Sequence, residues 1–264
     1  MDLYSYVSIE SFIQGCENQR TPRTFNLRVP NLMYSLPDEE IKYGLSLLRR
    51  SIVLHEEQKG IREEDRKCEI PFFRTNRRML IGPEMEMYAF SLYQSDTLPL
   101  GLKTGQSPYI RLTFDYVALG KYCLSDNKYF LQCKYNEKEN LKIFVSQMDQ
   151  EYDKFFYDEE HTGFKRDSRF FSMLCNACLE VKAPCFAADG EWRIVQFYEP
   201  SAAEYDFIDG KLIPYVDYSI PFDCLRLVTL QNRAENSITY SALAGFLQKM
   251  GLAPERYLDG MQEE

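Results

Sequence analysis

The chain has 264 residues, 45% hydrophobic and 27% charged, enough to bury the core of one large globular domain or two small ones. A formal net charge of −9 excludes a general attraction to nucleic-acid backbones or anionic membranes. No run approaches the ~20 apolar residues of a membrane span, and the start MDLYSYVSIE lacks the basic and apolar stretches of a signal peptide, so the expectation is a cytoplasmic protein without membrane contact.

Residues 3–7 read as a short strand, followed by a short helix for which Ser8 is the N-cap. Residues 16–36 read as irregular, being interrupted by Pro22 and Pro30. The clearest helix spans 37–59. Ile41, Leu45, Leu48 and Ile52 form its apolar stripe, Glu39 and Glu40 lie off it, and Asp38, Glu39 and Glu40 suit its N-terminal dipole. Residues 61–85 are charged and broken by two prolines, and RTNRRM (74–79) within them is the best candidate for a local basic patch.

Strands are expected at 87–93, 108–119 and 128–135, with a long turn-rich loop after the first. Helices are expected at 139–156 and 166–182, separated by an acidic loop. A strand follows at 191–197. Residues 205–218 hold Asp209-Gly210 between strand-like arms, which signals a hairpin. A late strand at 224–230 and a helix at 237–250 close the chain, leaving a loose polar tail from about 253. Strands without regular βαβ alternation, and no Pro/Ser linker, predict an α+β single domain over 1–264. Its core is a mixed or antiparallel sheet flanked by helices.

Familiar catalytic signatures are missing. There is no dinucleotide-binding or phosphate-loop glycine pattern, no nucleophile elbow and no HExxH. His55 and His161 both sit in charged stretches and read as surface residues. Of the eight cysteines, Cys175 and Cys178 form a CxxC pair, but no second pair completes a zinc site, so no metal is expected there.

The stretch KAPCFAADGEWRIVQF (182–197) carries the candidate site. Asp189, Glu191 and Arg193 share one strand parity, and two carboxylates with a guanidinium at the mouth of a buried strand are costly to desolvate unless paired or used. Three readings follow from these residues. Glu191 could be a catalytic carboxylate, or half of a structural ion pair with Arg193 in a non-catalytic module binding a nucleotide or a protein. It could also join Asp115 and Asp189 around a magnesium ion in a hydrolase.

Several segments together resemble the bacterial domain of unknown function 2971 family. They are LYSYV, AFSLYQSDTL, IRLTFD, VKAPCFAADGEWRIV and GKLIPYV, in that order over nearly the whole chain. Two departures are a PLGLKTGQSPY segment where the family often has Trp and Tyr, and Asp189-x-Glu191 where it often has Glu-x-Glu. The family name implies no activity. A fold-level likeness is to ADP-ribosyltransferases, which is similar in placing an aromatic, a serine and an acidic-x-Glu on three successive strands. That likeness implies an NAD-using effector, such as a toxin or a phage-defence protein that an antitoxin could hold. Glu191 would be catalytic, Asp189 would assist the acceptor and Ser91 would support the site. Tyr4 or Tyr6 would contact nicotinamide, and Arg111 or Arg193 would meet the pyrophosphate.

Overall fold

The computed structural model describes all residues except 20, 22, 68–85, 100–108, 158–176, 209, 231–236 and 260–264. In chain order the elements are β1 (Asp2–Ser8), α1 (Ile9–Glu17), β2 (Thr24–Pro30), α2 (Leu32–Ser35), α3 (Asp38–Gln58), β3 (Glu86–Leu92) and β4 (Tyr109–Asp115). Then come α4 (Tyr116–Ser125), β5 (Tyr129–Gln132), α5 (Glu137–Phe156), β6 (Trp192–Tyr198), β7 (Glu204–Ile208), β8 (Lys211–Pro221), β9 (Leu225–Leu230), α6 (Ser237–Lys249) and α7 (Pro254–Tyr257). The class is α+β, as expected.

The described strands form three antiparallel sheets, ordered β1-β4-β9, β2-β8-β7 and β3-β6-β5. Isolated bridges tie them together: Tyr4 to Tyr93 joins the first and third, and Asn31 to Tyr88 the second and third. In the third sheet, β3 and the first half of β6 are buried on both faces. Tyr88, Phe90 and Ile194 look into a core shared with α1, α4 and the other two sheets. Met87, Ala89 and Val195 look into a second core filled from α3 and α5 by Leu48, Ile52, Phe144 and Met148. This explains the unbroken apolar run of β6, since a strand covered on two sides needs no polar alternation.

Local signals explain most boundaries. The Ser8 hydroxyl accepts the Ser11 N–H at 3.0 Å and caps α1. Asn136 caps α5 in the same way, accepting from Lys138 and Glu139. Gly210 at φ +76° permits the β7–β8 turn.

Several expectations are corrected. The irregular 16–36 stretch contains β2, whose Phe25, Leu27 and Val29 alternate into the core, and the short α2. The strand expected to reach 119 stops at Asp115, whose carboxylate accepts the Ala118 N–H at 2.8 Å and starts α4. The strand expected over 128–135 is confined to Tyr129–Gln132. The helix expected to reach 182 has ended by 181, because Val181 bridges Lys134 as extended chain. His55 is buried against Tyr152, with the rings 4.5 Å apart, and pairs with Asp149 at 2.7 Å. Residues 254–258 are not a loose tail: α7 packs Tyr257 and Leu258 into the core, and Leu258 bridges Val228. The basic run 74–79, Cys175, His161, Asp209 and residues 166–176 lie outside the described residues.

Candidate active site

The site is assembled where β3 and β6 pair, with Ser91 opposite Arg193 and Leu92 opposite Trp192. A short 3-10 helix, Pro184–Asp189, delivers the chain to it, and Gly190 at φ +55° redirects the backbone into β6. Asp189 therefore ends that helix and Glu191 immediately precedes the strand, so of the three residues expected to share one strand face only Arg193 lies on β6.

Four buried charges meet at this point. Arg193 Nε donates to Glu191 Oε1 at 2.6 Å, and its Nη2 donates to Glu40 Oε2 at 3.2 Å. Lys182 Nζ lies 3.0 Å from Glu40 Oε1 and also donates to Glu191 Oε2. Two carboxylates and two cations close a neutral ring in which Glu191 is 1% and Arg193 2% exposed. The remaining polar atoms are served by neighbours. Arg193 Nη1 donates to the Cys178 carbonyl at 2.6 Å, Ser91 Oγ donates to Glu191 Oε1 at 2.8 Å, and the Glu191 N–H donates to the Tyr135 hydroxyl at 2.7 Å. Complete pairing is what makes such a cluster tolerable in a low-dielectric interior.

The charges set the protonation states. Burial alone would raise the Glu191 carboxyl, but the Arg193 and Lys182 charges and hydrogen bonds override it and hold the group at about 2. Burial would lower Lys182, and Glu191 and Glu40 reverse this so that the ammonium is held above its ordinary range. The two neighbouring thiols, Cys133 and Cys178, are pushed up to about 12 by burial, against the lowering pull of Arg193. They are poor nucleophiles.

The ring forms part of the wall of a cleft of about 340 Å³. Its lining includes the polar side chains of Ser91, Asp189, Glu191, Arg193, Lys182 and Glu40 and the aromatic rings of Tyr6, Tyr93 and Phe186. Phe186 also carries the Lys182 ammonium 4.9 Å above its ring centre.

Of the residues singled out from sequence, Glu191, Asp189, Ser91, Arg193 and Tyr6 thus reach one cleft. Tyr6 is tethered there by its hydroxyl, which donates to the Asp96 carbonyl at 2.6 Å. Tyr4 and Arg111 do not line it. The Arg111 guanidinium sits 5.3 Å over the Tyr4 ring and 3.5 Å from the Asp96 carboxylate. Asp115 is also elsewhere, engaged with α4 and Arg226. Trp192 packs on Phe130 and Tyr116 as scaffold.

Sequence reasoning missed Glu40 and the role of Lys182. Glu40 is not off the apolar stripe of α3. The buried face runs Glu40, Gly44, Leu47, Leu48, Ser51 and Ile52, so stepping back one turn from Gly44 would have reached it. Among the described residues no group of His, Cys, Asp and Glu is arranged to hold a metal ion, and no helix is long and apolar enough to cross a membrane. No family model, curated protein or solved structure matches this chain.

Proposed function

We propose that the chain is a binding module whose cleft takes a small polar ligand of about nucleotide size, with Glu191 as a fixed counterion rather than a reacting group. One observation carries this reading. Both Glu191 oxygens are committed, Oε1 to Arg193 and Ser91 and Oε2 to Lys182, in a ring whose charges cancel. A carboxylate so engaged has little capacity left to hold a substrate hydroxyl. The cleft volume is at the low end of ligand pockets, and a lining that combines aromatic rings with polar groups suits a ring joined to a polar body. Isothermal titration calorimetry with AMP, ADP-ribose and NAD tests it. Binding of one of them with a Kd below about 1 mM, weakened about tenfold by Phe186→Ala, is expected. No heat from any of the three, or no effect of Phe186→Ala, overturns it.

A second reading is the NAD-using transferase, favoured by one feature. The aromatic, serine and glutamate strands are neighbours, because β1 bridges the end of β3 at Tyr93, β3 pairs with β6, and Ser91 Oγ reaches Glu191. In that chemistry the bond between ribose C1′ and nicotinamide breaks, its electron pair leaving with nicotinamide. The acceptor's nucleophile then bonds C1′ and releases its proton, for which Asp189 is the nearby base. Glu191 would stabilise the oxocarbenium character at C1′. Nicotinamide release from NAD by the native chain, lost in Glu191→Gln while the variant stays folded, favours this second reading over the first.

A further inference from the structure

The cleft beside the charge ring offers a ligand a one-sided set of polar groups. Ser5, Tyr6, Ser35 and Ser91 line it, and each spends its hydroxyl proton inside the protein. Ser5 Oγ donates to the Ser91 carbonyl and Ser35 Oγ to the Leu32 carbonyl, both at 3.3 Å. The Tyr6 hydroxyl donates to the Asp96 carbonyl, and Ser91 Oγ to Glu191 Oε1. With these bonds in place the four oxygens present lone pairs to a ligand. The Glu40, Asp189 and Glu191 carboxylates of the lining are acceptors as well.

Among the described residues the cations of the lining are Arg28, Lys182 and Arg193. Arg193 commits all three guanidinium nitrogens within the protein, and Lys182 faces both Glu40 and Glu191. Arg28 differs, because its side chain is 42% exposed. Its charge is nonetheless compensated before any ligand arrives. Arg28 Nη1 donates to Asp206 Oδ2, and Arg28 stands opposite Asp217 in the β2–β8 ladder. Asp206 does not line the cleft, and its Oδ1 is held by the Phe207 N–H at 2.8 Å.

We propose that the cleft selects an uncharged, donor-bearing ligand, a nucleoside, over its phosphate, and that Asp206 sets this preference by holding Arg28. The proposal rests on the binding reading given above. The amino group of a base and the hydroxyls of a ribose supply the donors that the lining lacks. A phosphate brings acceptor oxygens and negative charge to a lining of acceptors. It also meets no described cation that is without a carboxylate partner, so its loss of water is not repaid. Discrimination then comes from a mismatch against the phosphate as much as from contacts to the nucleoside.

Isothermal titration calorimetry with adenosine and AMP tests this on the native chain, on Asp206→Asn, and on Asp206→Asn combined with Arg28→Gln. Adenosine is expected to bind the native chain about tenfold tighter than AMP. Asp206→Asn keeps an oxygen for the Phe207 N–H and releases the Arg28 charge. It is expected to tighten AMP about fivefold and to leave adenosine within about twofold of native. Adding Arg28→Gln is expected to abolish that gain. The Arg28–Asp206 pair is partly exposed, so both variants should melt near the native temperature. AMP as tight as adenosine, unchanged AMP affinity in Asp206→Asn, or a gain that survives Arg28→Gln overturns the proposal and leaves the binding reading standing. Heat from neither adenosine nor AMP also overturns it, and silence from ADP-ribose and NAD as well removes the binding reading itself.

Discussion

Glu40 and Arg193 lie 153 positions apart and meet at 3.2 Å in the interior. The contact joins the first turn of α3 to the start of β6, so one helix and one strand share a charge pair that neither could bury alone. Lys182 closes the same ring from the chain that precedes β6. The cleft is therefore shaped by three separate stretches whose positions depend on one another.

Glu191→Gln removes one charge from the ring and leaves Arg193 and Lys182 facing Glu40 alone. The expected loss is about 3–5 kcal/mol, measured by urea unfolding at neutral pH. Adding Lys182→Met restores charge balance and is expected to recover part of that loss. Additive effects in the double variant would show that the two groups do not act together.

The same carboxylate gives a pH signature. Its ordinary pKa is 4.5 and its folded value about 2, so the folded chain holds the group ionised where the unfolded chain has begun to bind a proton. The contribution is fully present above about 4.5 and is lost as pH falls through about 2. A shift of this size corresponds to about 3 kcal/mol. The stability difference between native chain and Glu191→Gln should shrink over this window in urea titrations, and a constant difference would contradict the assignment.

Ser91→Ala leaves the ring charges in place and removes a single hydrogen bond to Glu191 Oε1. About 1 kcal/mol is expected from urea unfolding, well below the Glu191→Gln effect. A loss as large as that of Glu191→Gln would mean that Ser91 holds the whole ring together.

The parts legible in the sequence are those with a clean period or a sharp boundary. α3, α5, β6 and the β7–β8 hairpin show helical stripes, an apolar run or a turn pair that local physics reads directly. β2 was hidden because Phe25, Leu27 and Val29 alternate between two prolines, which suggested a loop. α4 was hidden because an apolar stretch continues across Asp115, so the change from strand to helix shows only in the capping carboxylate. The Glu191–Arg193 pair was legible because both charges flank one tryptophan at the entrance of one strand. Glu40 and Lys182 were not, since their roles depend on packing between segments that are distant in sequence.

Gly15 tests a close approach. A Cβ there would lie 2.0 Å from the Asn26 carbonyl oxygen, where α1 rests on β2. Backbone cannot yield as a long side chain does, so Gly15→Ala must lift the helix and loosen Phe12 from Phe25, whose ring centres are 5.7 Å apart. The expected loss is about 3 kcal/mol in thermal or urea unfolding, and a near-native melting temperature would place α1 farther from β2 than this contact requires.

Gly190 is a further glycine with a specific task, and its substitution separates two effects at the cleft. At φ +55° a side chain strains the backbone, and the added Cβ would sit 2.9 Å from the Gln94 Cβ. Gln94 in turn donates its N–H to the Asp189 carbonyl at 3.2 Å, so moving it loosens the turn that delivers Glu191. Gly190→Ala should lose about 1–2 kcal/mol from the backbone alone, with more from the displaced Gln94. Gly190→Asn relieves part of the backbone strain, because asparagine tolerates the left-handed region, but keeps the contact with Gln94. Combining Gly190→Ala with Gln94→Gly removes the contact and keeps the strain. If the double variant recovers most of the stability, the contact dominates. If it recovers none, the left-handed turn into β6 is what requires glycine.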